Sequence, residues 1–194
     1  MPEDATPYGA VETLEDAEKY ATYFRQHADD IDGVVIVLPN FGDELGVAET
    51  LSRARLTVPV LVQACDDRMD QMDMAHRRDS FCGKLSVCNN LRQRGVAFTN
   101  TTLHTCAIDS EDLAQDLHRF AAICRTVKGL SQARLGMIGQ RPDAFNTVRY
   151  SEKLLERSGI HVSAVDMSEI IAGATAFDDT TAIEAKVAEI REYG

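Results

Sequence analysis

Basic residues are scarce in this chain: 20 Lys and Arg stand against 31 Asp and Glu, a formal net charge of −11. Nucleic acid and anionic membranes both demand clustered Lys and Arg, so neither is expected as a partner, whereas a small neutral or polar ligand is. No apolar stretch approaches the ~20 residues of a membrane helix. The start Met1-Pro2-Glu3-Asp4 is acidic and has no signal-peptide core, so a cytoplasmic protein is expected. The common chemical signatures are also missing. There is no G-x-x-x-x-G-K-[ST], and Gly136-Met137-Ile138-Gly139 lacks both the G-x-G-x-x-G spacing and the acidic position that should follow, which leaves nucleotide binding poorly supported. Neither a G-x-S-x-G elbow nor C-x-x-C nor H-E-x-x-H occurs. The five cysteines are odd in number and mostly sit in apolar settings, as at Cys82, Cys88, Cys106 and Cys124, which reads as reduced core thiols and not a disulfide frame.

What is present is a repeated transition from apolar run to polar burst. Val34-Val35-Ile36-Val37-Leu38 breaks at Pro39 and releases Asn40, Phe41, Asp43 and Glu44; Val58 to Ala64 ends at Cys65-Asp66-Asp67, and Ala133 to Ile138 at Gly139-Gln140-Arg141. A buried strand that ends in a polar loop is the grammar of an open α/β sheet, whose ligands sit beyond the carboxyl ends of its strands. Parallel strands are therefore expected near 33–38, 58–64, 133–138 and 160–165. Thr13 with Asp16 reads as the start of a helix reaching about Ala28. Asp43 can cap a second helix and Ser80 a third, in which Leu85, Cys88 and Leu91 share a face before Gly95 stops it. Ser110-Glu111-Asp112 opens the longest amphipathic helix, closed by Gly129. Further helices are expected from about Phe145 to Arg157, ended by Gly159, and from Thr181 to Tyr193, with a strand between them at His161 to Val165.

The ends are unusual for a doubly wound domain. The chain goes from an acidic loop straight to a helix with no preceding strand to flank, and the unit beginning at Ala133 offers only two strands and a last helix, too little sheet to bury its own faces. One reading is a chain cut short at both ends, with residues 1–129 forming a first domain that lacks its initial βα unit and residues 130–194 beginning a second. The other is a small sheet that starts with a helix and finishes with a βαβ extension.

Polar residues concentrate between 73 and 90. Asp73, His76 and Asp79 recur every three residues and mimic metal ligands, but as a metal site the pattern is unspecific, and a solvated helix face is the expected reading. Lys84, Ser86, Asn89 and Asn90 lie on an otherwise apolar helix, and buried amides need partners, either loop backbone or a ligand hydroxyl. His104 falls where a short strand should end and is expected to be structural. Arg141, Pro142, Asp143, Phe145 and Asn146 precede a helix amino terminus, which favours anions or ligand oxygens. There Asp143 is expected to cap the helix, while Arg141 is left as a ligand or interface residue.

Several runs together resemble the amino-terminal part of the L-fucose/L-arabinose isomerase-like sugar isomerases. They are Leu38-Pro39-Asn40-Phe41-Gly42-Asp43-Glu44, Pro59 to Ala64, Arg77 to Lys84, Ser86 to Leu91 and Thr101-Thr102-Leu103-His104, with Ile138-Gly139, Arg141-Pro142 and Ala144 to Leu155 resembling the opening of the second domain. The resemblance implies two Rossmann-like doubly wound domains ahead of a carboxy-terminal catalytic domain, assembled as a homo-oligomer. It implies an aldose–ketose isomerase that uses Mn2+ in its full-length form, with the metal ligands and proton-transferring acids in the later part of the chain. This chain is then an incomplete piece that binds no metal, carries no catalytic residue and is inactive alone. Its loops would shape the sugar pocket through Asn40, Phe41, Glu44, Lys84, Asn89 and Arg141, a set that supplies amides and charges for hydroxyls and an aromatic face for C–H groups. The alternatives are a non-catalytic sugar-binding or regulatory module and an inert pseudogene product.

Overall fold

The computed structural model describes residues 5–193; the acidic opening Met1–Asp4 and the terminal Gly194 lie outside that range. The protein is a mixed α/β chain whose helices alternate with a three-stranded and a two-stranded parallel sheet. By internal contacts it divides into two compact units, Met1–Gly129 and Leu130–Gly194.

In the first unit, helix α1 (Leu14–Gln26) begins in a full capping box: the Thr13 hydroxyl accepts from the Asp16 backbone N–H while the Asp16 carboxylate accepts from the Thr13 backbone N–H. It stops two residues short of Ala28, where a single 3₁₀ turn (Ala28–Asp30) takes over. Strand β1 (Val34–Leu38), helix α2 (Glu44–Ala54), strand β2 (Val60–Ala64), helix α3 (Ser80–Gln93), the two-residue strand β3 (Thr99–Asn100) and helix α4 (Glu111–Ser131) follow. The strands lie in the order β1-β2-β3, with Val34 opposite Val60 and Leu61 opposite Thr99.

Central β2 is buried along its whole length, which is why its sequence is a continuous apolar run and not an alternating one. Ile36, Leu38, Val60, Val62 and Ala64 meet Ala48 and Leu51 of α2 and Val87 and Leu91 of α3 on one face; Leu61 meets Phe120 and Cys124 of α4 on the other. On α4's side Gly33 is required, because a β-carbon there would overlap the Cys124 sulfur.

Among the described residues strand β1 is an edge. Val34 donates its N–H to Pro59 and Leu38 accepts from Cys65, so its even-numbered residues bond to β2 and the backbone groups of Val35 and Val37 point outward. The side chains of Val35 and Val37 are 38% and 48% exposed.

Four local expectations need correction in this unit. Ser80 does not cap α3. Asp79 occupies the cap in a left-handed conformation (φ 52°), and Ser80 is the first helical residue, buried, its hydroxyl donating to the Cys65 carbonyl. The buried stripe of α3 is Ser80, Gly83, Lys84, Val87 and Leu91, while Leu85 is 59% exposed. The small residues set this stripe, because they allow the helix to approach the sheet and the neighbouring loop. Helix α4 passes Gly129 and ends at Ser131, since a helical glycine costs only about 1 kcal/mol and stops nothing by itself. Cys82 is exposed, although all five cysteines are free thiols, with Cys65, Cys106 and Cys124 buried and Cys88 partly so.

The second unit contains β4 (Arg134–Ile138) paired in parallel with β5 (His161–Val165), helix α5 (Glu152–Arg157) between them, and helices α6 (Met167–Ala176) and α7 (Thr180–Tyr193) after them. The expected helix over 145–157 is only six residues long. Asn146–Val148 forms a 3₁₀ turn, and the cap position falls on Phe145 with no side-chain bond, so Asp143 caps nothing. Helix α6 was not read from the sequence. No side chain described in residues 130–193 is buried. Two strands and short helices leave Leu135, Ile138, Leu154 and Ile171 between 48% and 60% exposed. Among the described residues, no helix is long and apolar enough to cross a membrane.

Candidate functional site

In the first unit the strands β1 and β2 both open at their carboxyl ends into loops, Pro39–Asp43 and Cys65–Asp79, and a cleft of about 900 Å³ begins between these loops. Its polar mouth is lined by Asn40, Phe41, Asp43, Arg77, Arg78 and Asp79, with Met74 alongside; from there it continues down the outer edge of β1 past Val35 and Val37 to Phe24.

The mouth is held by backbone bonding. The Phe41 N–H donates to the Arg78 carbonyl at 2.7 Å, and Asp67 accepts from the N–H groups of Arg78 and Asp79 at 2.9 and 3.1 Å. The Arg78 guanidinium turns back to the Asp66 carbonyl at 3.0 Å, and Arg77 pairs with Asp79 at 2.7 Å. Gly83 of α3 completes the seat, since a β-carbon would come within 3.0 Å of three Phe41 backbone atoms. At the base of α2, Asp43 caps the helix through the Gly46 N–H.

The six residues singled out in the sequence are not all in one place. Asn40 and Phe41 line the cleft and are exposed to it, Phe41 by 41%. Glu44 is turned aside: its carboxylate accepts from the Asn90 amide at 2.7 Å, tying α2 to α3. The Asn90 amide also serves Ser86 and Arg94, so its partners are protein groups. Asn89 is exposed on α3 and does not line the cleft. Lys84 is only 4% exposed, and its ammonium donates to the Thr101 hydroxyl and the His104 carbonyl, each at 2.9 Å. Loss of hydration pushes the Lys84 pKa below the usual lysine value, opposed by the Cys88, Cys106 and Asp116 side chains. The lysine thus pins the 101–104 loop from beneath. His104 lies past the end of β3, its ring 5.3 Å from that of Phe81. Arg141 belongs to the second unit, where its guanidinium folds onto the carbonyls of Pro142, Asp143 and Phe145 at 3.1 to 3.3 Å.

Sequence reading underweighted Arg77, Arg78 and Met74 as cleft residues. The available signal was the Arg77-Arg78-Asp79 run directly before a helix, at the strand-to-helix position where α/β sheets bind ligands. Among the described residues, no three His, Cys, Asp or Glu side chains gather as a metal site. Asp73 and His76 pair with each other at 2.9 Å on an exposed turn, and that hydrogen bond holds the Asp73 carboxyl below its ordinary value.

An open polar mouth with an amide, an aromatic ring and guanidinium groups can bind a polyhydroxylated molecule; it has no arranged nucleophile–base pair. Residues 1–131 match the family described as fucose/sulfoquinovose isomerase, N-terminal domain. No curated protein matches the chain.

Proposed function

The chain belongs to the fucose/sulfoquinovose isomerase family through its N-terminal domain, and from that premise we propose that it serves a metal-dependent aldose–ketose isomerase as a substrate-pocket and interface module. The observation that carries this reading is the cleft at the carboxyl ends of β1 and β2, where Asn40 and Phe41 lie inside the matched region. The Asn40 amide hydrogen-bonds a sugar hydroxyl, the Phe41 ring takes the C–H face, and Arg77 and Arg78 border the oxygens. Lys84 acts from behind by holding the loop that carries His104. Asn89, Glu44 and Arg141 serve contacts between subunits or structural ties. In such an enzyme the metal and the proton-moving acids would be supplied by a separate catalytic domain, which would face the pocket of a neighbouring subunit.

The finer fold follows the same reading. On this reading the outward Val35 and Val37 backbone of β1 is where a further βα unit of a Rossmann-like doubly wound sheet would pair, and residues 130–194 would begin a second such domain. The placement of α2 and α3 on one face and α4 on the other supports this.

The test is a fusion of this chain to the metal-bearing region of a family enzyme, with alanine at Asn40 or Phe41. Loss of one hydrogen bond to a neutral hydroxyl costs about 0.5–1.5 kcal/mol, so the Asn40 variant should raise KM roughly 2- to 12-fold with kcat nearly unchanged. An unchanged KM in both variants, with the oligomer intact, overturns the assignment. Sugar binding without any effect on turnover instead supports a non-catalytic sugar-binding module.

A further inference from the structure

Two buried cysteines meet at the carboxyl end of β2. After β3 the ladder with β2 continues one step, with the Thr101 N–H donating to Val62, and then the chain loops out over residues 102–105. It returns at Cys106, whose N–H donates to the Ala64 carbonyl at 3.0 Å. In a parallel pair, a residue that donates to position i−1 of its neighbour lies opposite position i, so Cys106 sits directly across from Cys65. Opposed residues of adjacent strands are about 4.8 Å apart, inside the 4.4–6.8 Å Cα separation that a disulfide spans. Their side chains share a face. The Gln63 amide nitrogen lies 3.7 Å from the Cys65 sulfur and 3.9 Å from that of Cys106, while donating to the Cys106 carbonyl at 2.8 Å. The oxygen of that amide, Gln63 Oε1, is buried and has no hydrogen-bond partner among the described residues. Both cysteines are 3% exposed and both are free thiols.

We propose that Cys65 and Cys106 are a peroxide-responsive dithiol that closes to a disulfide, fastening the 102–105 loop to the end of β2. One thiol gives up its proton as its sulfur attacks hydrogen peroxide, the O–O bond breaks, a sulfenic acid forms, and the departing hydroxide takes that proton to leave as water. The second thiol attacks the sulfenic sulfur, the S–O bond breaks, and the disulfide and a second water leave. Peroxide is reduced to two waters and each sulfur gives up one electron. Exchange with a reducing dithiol opens the bond again. Oxidation therefore acts as a reversible clamp on the loop that starts after Thr101 and carries His104, the two residues that receive Lys84.

The experiment uses the full chain with Cys82→Ser, which removes the exposed thiol that would link two copies. The folded protein is treated with hydrogen peroxide, alkylated and digested with trypsin. Cys65 lies in the peptide Leu56–Arg68 and Cys106 in Gly95–Arg119, each with a single cysteine. The expected result is a linked pair of these two peptides, lost on reduction with dithiothreitol, with Cys88 and Cys124 still alkylated. Circular dichroism before and after treatment establishes that the chain stayed folded. A second arm, Cys106→Ser, should leave Cys65 alkylated after the same treatment. Full alkylation of Cys65 and Cys106 in the peroxide-treated folded protein, or linkage of either to Cys88 or Cys124 in preference to each other, overturns the proposal.

Discussion

Replacing Gly83 by alanine tests how the cleft is built. Inside a helix the exchange ordinarily stabilises by up to ~1 kcal/mol, because alanine loses less backbone freedom on folding. Here the added β-carbon would overlap the Phe41 carbonyl oxygen and come within 3.0 Å of the Phe41 carbonyl carbon and Cα, and backbone cannot rotate away as a side chain can. Overpacking of this kind costs about 1–3 kcal/mol, so Gly83→Ala should be neutral to about 2 kcal/mol destabilising. The control is Gly129→Ala in α4, where nothing lies within 4 Å of the added atom. That variant should gain up to ~1 kcal/mol. At this chain length 1 kcal/mol moves Tm by roughly 3 °C, a difference that calorimetry or urea titration of the two variants resolves. The Gly83 variant should also displace Phe41, visible as altered amide shifts at Asn40–Asp43. Equal stabilisation of both variants would refute the argument that α3 carries glycine to seat the Phe41 loop.

Lys84→Met should free the 101–104 loop by leaving the His104 carbonyl and Thr101 hydroxyl without their donor, at about 1–3 kcal/mol for a buried unpaired group, detectable by hydrogen exchange at Leu103–Thr105. Because burial lowers the Lys84 pKa, the unfolded chain binds its proton more tightly; stability of the parent protein should rise as pH climbs from the lowered value toward the ordinary 10.5, and this rise should vanish in Lys84→Met. Thr13→Ala removes the α1 cap and should cost about 1 kcal/mol in urea denaturation. The Thr13 hydroxyl bond holds the Asp16 carboxyl below its usual value, a contribution present at neutral pH and lost as pH falls through that lowered value, so the variant should show a shallower loss of stability in acid. The purified chain given Mn2+ and an aldose should show no turnover and should retain no stoichiometric manganese after dialysis; either result in the opposite sense would place the catalytic groups within these residues.

The strands were legible because burial leaves a run that side-chain chemistry cannot disguise: the expected segments at 33–38, 58–64, 133–138 and 160–165 match β1, β2, β4 and β5 to within two residues, all in parallel pairs. The Thr13 and Asp43 caps were legible for the same local reason, as each rests on residues three apart. The face of α3 was not. Its inward positions in the first turns are Ser80, Gly83 and Lys84, and only the neighbouring Phe41 loop and the acceptors on the 101–104 loop explain why small and charged residues point inward there while Leu85 points out. Asn40 and Phe41 could be found from the strand-end rule, but Glu44, one turn further, has its carboxylate taken by Asn90 across a 46-residue separation that no local pattern reveals. The opposition of Cys65 and Cys106 was hidden similarly, because the 102–105 excursion breaks the sequence spacing from which a strand partner would be read.

The account turns on whether sugar meets the loop at the carboxyl end of β1, and an NMR titration of the isotope-labelled chain with L-fucose reads that directly. Amide and side-chain signals of Asn40, Phe41 and the Arg77–Asp79 stretch should move together with one saturating dependence, and the Asn40→Ala chain should need a several-fold higher sugar concentration for the same change. Signals that stay fixed at Asn40 and Phe41 while others shift, or a titration that Asn40→Ala leaves unaltered, would contradict the placement of the sugar site in this domain.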